Sequence, residues 1–188
     1  MTKFIDLFCG IGGFRLALEK SGLSCVFSSE IDKYAREAYH KNFGELPKGD
    51  ITQISSDEIP LHDVLCAGFP CQPFSISGKK NGVRDDIGKL FFKIERIVSY
   101  HRPKIVLLEN VKGILTIDNG NVVKHIDETL SKMGYVVHRY LLNSSYFGIP
   151  QKRERVYFVA IRKDLELRIN LRENLEGSMN HVFLKRYH

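Results

Sequence analysis

The sequence predicts an α/β fold built on a doubly wound, mostly parallel sheet. Three observations predict it. Short apolar runs alternate with segments of helical spacing, glycine- or proline-bearing turns follow the apolar runs, and 43% of the 188 residues are hydrophobic, which is enough for one packed core. Because ligands bind at the carboxyl ends of the strands in such sheets, polar residues at those ends are the candidates for function.

The elements follow from the same spacing. Six apolar runs are predicted as strands: residues 3–8, 24–31, 64–69, 104–108, 135–142 and 155–162. A further short strand is expected to end just before Asp50. Helices are predicted over 14–21, 32–43, 89–100 and 121–133, with Asp32 as an N-cap. The polar stretch 74–88 is predicted as a loop, residues 1–163 as the domain, and 164–188 as a tail.

Charge and hydropathy narrow the class of protein. The formal net charge of +6 suits a polyanionic partner, because each neutralised phosphate releases counterions, although charge alone is weak support. No apolar run is long enough to span a bilayer, which indicates no membrane partner. An acidic residue and glycines follow too closely on Met1 for a secretory signal, so a cytoplasmic protein is expected.

The four cysteines do not predict a metal site, because none forms a CxxC pair and no histidine cluster lies near them. Cys25 and Cys66 lie in apolar runs and are predicted to be buried as small hydrophobic side chains. Cys71 lies between Pro70 and Pro73, which restrict the backbone around it. Such rigidity suits a nucleophile, but a buried structural cysteine in a turn is an equally open interpretation.

A glycine-rich turn follows the first strand. Gly10, Gly12 and Gly13 allow a ligand to approach the backbone, and the helix that follows favours negative groups at its start. Glu30 is placed to accept hydrogen bonds from ribose hydroxyls, and Asp50 from an adenine amino group. The alternative is a tight turn with two solvent-facing acids. This pattern alone does not separate NAD from S-adenosylmethionine.

The cysteine segment and a second acid are expected at the same edge of the sheet. Glu109 ends the strand that neighbours the Cys71 strand, so a thiol and a carboxyl group would face one pocket. The stretch 75–82 contains glycine and small polar residues and is predicted to act as a lid. Taken alone, Glu109 is as readily interpreted as a capping or salt-bridged acid.

Four motifs, in this order, resemble the signatures of DNA cytosine-C5 methyltransferases. They are Asp6-Leu7-Phe8-x-Gly10-x-Gly12-Gly13, Pro70-Cys71-Gln72, Glu109-Asn110-Val111 and Gln151-x-Arg153-x-Arg155. The resemblance covers residues 3 to 163 almost continuously and is strongest to bacterial modification methylases of the HhaI type. It implies a Rossmann-like fold that uses S-adenosylmethionine as cofactor and double-stranded DNA as substrate, within a restriction-modification system of the bacterial cytoplasm and nucleoid.

The resemblance also implies roles for single residues. Cys71 would attack C6 of a flipped cytosine, Glu109 would act at N3, and Arg153 and Arg155 would contact the base and its phosphate. The two arginines are expected to alternate on one strand and to point the same way. The implied cofactor-binding residues are Phe8, Gly10, Ile11, Gly12, Gly13, Glu30, Ile31, Asp50, Ile51, Pro70 and Leu90. The implied DNA-binding residues are Gln72, Ser75, Ser77, Lys79, Arg153 and Arg155. Without the resemblance, Ile31 and Leu90 are equally interpretable as core residues.

Two departures from the family pattern stand out. Ile87 occupies a position where the family often has arginine. No recognition domain and none of the last motifs follow residue 163. The sequence therefore predicts the catalytic part of a split methyltransferase, completed by a second polypeptide and inactive alone. The alternatives are an inactive cofactor-binding remnant and, less favoured, a tRNA cytosine-C5 methyltransferase.

Overall fold

One mixed sheet organises the molecule. The computed structural model describes residues 1–70 and 82–165, with the backbone alone described for 82–89. Within these residues the strands are β1 (Lys3–Leu7), β2 (Ser24–Ser29), β3 (Val64–Ala67), β4 (Ile105–Val111), β5 (Tyr135–Asn143) and β6 (Glu154–Arg162). Their order across the sheet is β2-β1-β3-β4-β6-β5.

Strand direction confirms the mostly parallel prediction. β2, β1, β3 and β4 pair in parallel, whereas β6 is antiparallel to both β4 and β5. Because β6 is reversed, its first residues lie at the edge where the parallel strands end. Arg155 is therefore opposite Val111, the last residue of β4.

Helices cover both faces of the sheet, which confirms the doubly wound prediction. They are α1 (Gly13–Lys20), α2 (Lys33–Phe43), α3 (Gly82–His101) and α4 (Asn121–Lys132). On one face, Ile5 and Leu65 belong to a core that includes Ile94 of α3 and Ile126 of α4. On the other face, Phe4 packs with side chains of α1. The alternation of side chains along β1 accounts for this division.

Two element predictions were wrong. The helix predicted from residue 89 begins at Gly82, because Val83 and Ile87 continue its apolar positions at helical spacing, although two glycines made the stretch look like a loop. Ile87 therefore lies within α3. No strand lies directly before Asp50: Lys48 forms one isolated bridge with Ser29, and the chain then turns into the 3₁₀ helix that Asp50 caps.

Smaller predictions had mixed outcomes. Asp32 does cap α2, with its side chain accepting from the Ala35 N–H at 2.7 Å. Cys66 is fully buried, as predicted, but Cys25 is only half-buried because β2 is an edge strand. Among the described residues, no helix has the length and apolar character that crossing a membrane requires.

Candidate functional site

The carboxyl ends of β1, β3 and β4 bring the predicted site residues together. The Gly68 N–H donates to the Leu7 carbonyl at 3.3 Å, which holds the end of β3 beside the end of β1. A Cβ atom added at Gly68 would lie 3.6 Å from Glu109 Oε2 and 3.8 Å from the Phe8 carbonyl oxygen. Gly68, which has no side chain, therefore lies between the Glu109 carboxylate and the start of the glycine turn and brings the two close together.

The glycine turn has left-handed backbone at Phe8 (φ 54°), Gly10 (φ 53°) and Gly12 (φ 94°). A Cβ atom on Gly12 would lie 2.1 Å from Cε2 of Phe43, so only glycine fits there. At Gly10 and Gly13, in contrast, an added Cβ would meet no atom of the described residues within 4 Å. The turn is thus tightly packed against α2 at Gly12 and open on its outer side.

Glu30 supports the turn through its carboxylate. Oε2 accepts from the Gly10 N–H at 2.8 Å, and Oε1 accepts from the Asp32 N–H at 2.9 Å. The neighbouring Ile31 is 67% exposed, which excludes the alternative that it is a core residue, and Ile11 in the turn is 63% exposed. A carboxylate and two exposed apolar side chains therefore border the open side of the turn.

Asp50 lies beside this group because the segment before it runs along the end of β2. The Glu30 N–H donates to the Lys48 carbonyl at 2.9 Å. Asp50 caps a single 3₁₀ turn, accepting from the Thr52 N–H and hydroxyl, each at 2.8 Å. Ile51 is only 3% exposed and belongs to the core, so its side chain does not face the site and its backbone alone remains available.

Glu109 and Arg155 form an ion pair at this edge, with 2.9 Å between Arg155 Nε and Glu109 Oε1. Both side chains are largely covered, at 23% and 20% exposure respectively. Tyr157 lies opposite Glu109 in the strand register, and burial, aided by the negative charge of Glu109, raises the pKa of its hydroxyl. The pair is sheltered but still reached by solvent.

Arg153 does not share this arrangement. β6 begins at Glu154, so the predicted alternation of Arg153 and Arg155 on one strand is wrong by one residue. The Arg153 side chain is exposed, and its backbone N–H donates to Asn143 Oδ1 at 3.2 Å. Arg153 therefore belongs to the exposed connection between β5 and β6, next to the ion pair.

Asn110 connects β4 to the segment that leads to Cys71. It is 2% exposed, and its side-chain amide donates to the Phe69 carbonyl at 2.9 Å. Its Oδ1 accepts from the Val111 N–H at 2.8 Å. The Phe69 carbonyl, which directly precedes the half-buried Pro70, is thereby held to the end of β4. Sequence reasoning quoted Asn110 in a motif but gave it no role.

Several predicted residues cannot be placed. Those that lie outside the described residues are Cys71, Gln72, Ser75, Ser77 and Lys79, together with the predicted lid up to residue 81. Leu90 is described, and it is half-buried in α3.

Sequence reasoning quoted Asp6 in the first motif but gave it no role, and the residue is fully buried beneath the turn. Its carboxyl group faces the backbone N–H and the charge of Arg15, and no side chain of the described residues hydrogen-bonds either oxygen. Burial raises its pKa to about 7, although the backbone and charge of Arg15 partly counteract this. The signal in the sequence was an acid within an otherwise apolar strand, between Ile5 and Leu7.

The chain is similar to known proteins over nearly its whole length. Residues 2–185 match the family described as C-5 cytosine-specific DNA methylase. Type II methyltransferase M.HhaI of Haemophilus parahaemolyticus is 55% identical over 165 residues, which cover 88% of this chain and 50% of that protein. Type II methyltransferase M.HaeII of Haemophilus aegyptius is 58% identical, over 84% of this chain and 49% of that protein.

Solved structures agree on the fold. A mutant of Spodoptera frugiperda DNMT2 superposes with a TM-score of 0.74 and 27% identity, over 90% of this chain and 53% of that one. The S. pombe Dnmt2 methyltransferase superposes with a TM-score of 0.78 over 99% of this chain and 57% of that one, but at 24% identity it shows the fold alone. The chain spans about half the length of the curated relatives it matches.

Proposed function

The chain belongs to the C-5 cytosine-specific DNA methylase family, and from this premise we propose that it is the cofactor-binding and catalytic part of an enzyme that methylates C5 of cytosine in double-stranded DNA. The observation that carries the proposal is that the glycine turn and the Glu109–Arg155 pair meet across Gly68 at one edge of the sheet. A methyl donor and a base to receive the methyl group would need to meet at such an edge.

The residues of the turn fit S-adenosylmethionine. The open space above Gly10 and Gly13 gives room for the ligand, and exposed Ile11 and Ile31 offer apolar contact. Glu30 retains acceptor capacity for ribose hydroxyls, since each carboxylate oxygen accepts only one backbone N–H. The other implied contacts, Phe8, Gly12, Asp50, Pro70, Leu90 and the Ile51 backbone, remain part of the proposal. When bound, the cofactor supplies an electrophilic methyl group.

The chain's own residues would prepare the base. The Cys71 thiolate would add to C6 of a flipped cytosine and form a carbon–sulfur bond, while Glu109, with its carboxyl protonated, would donate a hydrogen bond to N3 and limit the charge that builds up in the ring. C5 would then take the methyl group, with S-adenosylhomocysteine as the leaving group. A base would remove the C5 proton, and the carbon–sulfur bond would break to release the Cys71 thiolate. Arg155 holds Glu109 through Nε and keeps further N–H groups for the carbonyl oxygen of the base. Exposed Arg153 suits a phosphate, as do Gln72, Ser75, Ser77 and Lys79 in the proposed DNA contact.

The free energy available from ionising Cys71 can be compared with the free energy that catalysis requires. A cysteine of ordinary pKa is already roughly 5–10% thiolate near neutral pH, so complete ionisation contributes only about 1.5 kcal/mol. Enzymatic rate enhancements need about 8 kcal/mol or more. Most of the effect must therefore come from positioning and from stabilising the ring, which are the functions proposed for Glu109 and Arg155.

We further propose that a second polypeptide supplies sequence recognition, because the curated relatives are about twice as long as their match to this chain. The assembly would act in a restriction-modification system, in the cytoplasm and on the nucleoid. An inactive cofactor-binding remnant is the alternative. A tRNA cytosine methyltransferase is disfavoured, since identities of 55% and 58% are to type II methyltransferases.

The decisive experiment is transfer of radiolabelled methyl groups to plasmid DNA, with the chain alone and with the remaining half of a homologous methylase. We expect little or no transfer by the chain alone and site-specific transfer by the complemented chain. Robust methylation by the chain alone would contradict the proposal that a second polypeptide is required. Failure with every complement, although the chain binds cofactor, would favour the inactive remnant.

The role of Cys71 can be tested separately, by trapping. DNA that contains 5-fluorocytosine should form a covalent adduct with the complemented chain, seen as a band shift on a denaturing gel. Cys71→Ala should abolish this adduct. Cys25→Ala is the matched control, because this half-buried thiol lies in β2, away from Glu109, and its loss should leave the adduct intact.

A further inference from the structure

Arg15 is a buried cation outside the set of proposed catalytic, cofactor-binding and DNA-binding residues. It lies in the first turn of α1, two residues after Gly13, and is 6% exposed. Its Nε donates to Glu19 at 2.8 Å, and its Nη1 donates to Glu45 at 2.8 Å and to the Tyr39 hydroxyl at 3.3 Å. One side chain thus joins α1 to α2 and to the segment that follows α2.

The same guanidinium lies against Phe43. Its carbon is 4.8 Å from the centre of the Phe43 ring and 5.4 Å from that of Tyr39, and the two rings are 4.7 Å apart. Phe43 is also the residue that leaves no room for a side chain at Gly12. The ring therefore lies between Arg15 and the glycine turn, so we expect a change in the position of the ring to affect the turn.

α2 connects the other groups proposed to bind the cofactor. Glu30 precedes it, and Asp50 follows the Glu45 segment. A second link supports the arrangement, because the Asn42 side-chain amide donates to the Ile11 carbonyl at 3.3 Å. The contact between α1 and α2 thus adds a second attachment among the segments that carry the turn, Glu30 and Asp50, beside the direct hydrogen bonds that Glu30 makes to Gly10 and Lys48.

We infer that Arg15 is a positioning residue for the cofactor, which acts by holding Phe43 and Glu45 so that the glycine turn keeps its place between Glu30 and Asp50. The inference rests on the proposed function for the identity of the ligand. Lysine is expected to replace arginine poorly here, because its compact ammonium lacks the planar fork that reaches Glu19 and Glu45 through different nitrogens while lying against the Phe43 ring.

The test is the affinity of the chain for S-adenosylhomocysteine, measured by calorimetry in Arg15→Lys. We expect binding at least tenfold weaker than in the unaltered chain. Glu45→Gln, at an exposed position that does not endanger folding, should weaken binding in the same direction by a smaller factor. Arg102→Lys is the matched control, since Arg102 stacks on Tyr135 at 5.8 Å and donates to the Met133 carbonyl, remote from the turn.

Equal affinity in Arg15→Lys and the unaltered chain would overturn the inference, and so would equal weakening in Arg102→Lys, which would indicate a general loss of stability. Amide hydrogen exchange supplies a readout without ligand. Exchange at Gly10 and Gly12 should be at least tenfold faster in Arg15→Lys and unchanged in Arg102→Lys. If the unaltered chain binds no S-adenosylhomocysteine, the proposed cofactor is contradicted, and exchange alone then decides for or against positioning by Arg15.

Discussion

Two ion pairs of the same length lie at opposite ends of the parallel strands. Arg155 Nε is 2.9 Å from Glu109 where the parallel strands end, and Lys104 Nζ is 2.9 Å from Asp63 where they begin. The Asp63 carboxylate also accepts from the Lys3 N–H at 3.0 Å, and its own carbonyl accepts from the Lys104 N–H at 2.7 Å. Asp63 therefore ties together the starts of β1, β3 and β4.

The difference lies in what surrounds each carboxylate. Hydrogen bonds from Lys104 and the Lys3 backbone lower the pKa of Asp63, so this group is held ionised by fixed partners. Among the described residues, Glu109 has the ion pair with Arg155 and, on its other side, the bare backbone of Gly68. An ion pair that is saturated by backbone donors stabilises strand ends, whereas one that keeps a free side beside a glycine can receive a substrate.

The largest expected effect tests this difference directly. Glu109→Gln should reduce methyl transfer by the complemented chain on the order of 10²–10³-fold, because a preorganised group at the reacting base is lost. Asp63→Asn, the equivalent change at the opposite edge, should leave the rate within about twofold and cost up to about 1 kcal/mol of stability. Initial rates and urea unfolding give both quantities, and similar rate losses in the two variants would abolish the distinction.

The second largest effect is the loss of stability when a side chain is added in the glycine turn. Gly12→Ala should destabilise the chain by about 2 kcal/mol or more, because the new methyl group would overlap the Phe43 ring at 2.1 Å in addition to the left-handed φ of 94°. Gly22→Ala has a similar φ of 82° but no atom within 4 Å, so strain alone should cost about 1 kcal/mol. Equal losses in urea unfolding would show that packing against α2 is unimportant.

The smallest effect is a pH dependence that differs between the edges. Burial raises the pKa of Asp6 from 3.8 to about 7, so this acid destabilises the fold progressively as the pH rises from about 4 to about 7. Asp6→Asn should remove that penalty, and its stability relative to the unaltered chain should increase over this range, by 1 kcal/mol or more. Urea unfolding at pH 4.5 and 7.5 measures it, and a difference that does not depend on pH would contradict the buried, uncompensated carboxyl.

His62, near the beginning of β3, contributes a pH dependence of stability that is opposite in sign to that of Asp6. Burial lowers the pKa of His62 from 6.5 to about 4, so the fold loses stability as the pH falls through this range. His62→Asn keeps a donor for the Pro60 carbonyl and should improve relative stability below pH 6.5. The same series of urea unfolding experiments serves both variants. If the stability of Asp6→Asn and of His62→Asn, each relative to the unaltered chain, changed with pH in the same direction, the assignment of these two titrations would be contradicted.

Much of the fold could be predicted from local patterns, because apolar runs and helical spacing are properties of neighbouring residues. The edge of the sheet that carries the glycine turn and Glu109 followed from strand ends alone. Contacts between distant residues could not be predicted in this way. Arg15 and Glu45 are 30 positions apart, and Asn110 and Phe69 are 41 apart.

The errors have a similar physical origin. Two glycines concealed the first turns of α3, since their low helix propensity is outweighed by the apolar positions around them. Arg153 was placed on β6 because side-chain alternation was extended one residue beyond the point where pairing with β5 begins, at Glu154. The half-exposure of Cys25 depends on β2 being at the sheet edge, which is a matter of topology.

The reversed direction of β6 has a consequence for engineering the chain. From Arg155 to Ile161, β6 runs antiparallel along β4, a path of roughly 20 Å at about 3.4 Å per residue. β6 therefore ends at Arg162 on the side where the parallel strands begin, and a 3₁₀ helix, Lys163–Leu165, follows it. A tether joined after Leu165 must be at least about six extended residues long before a fused module can reach the end of the sheet at which we propose that DNA binds.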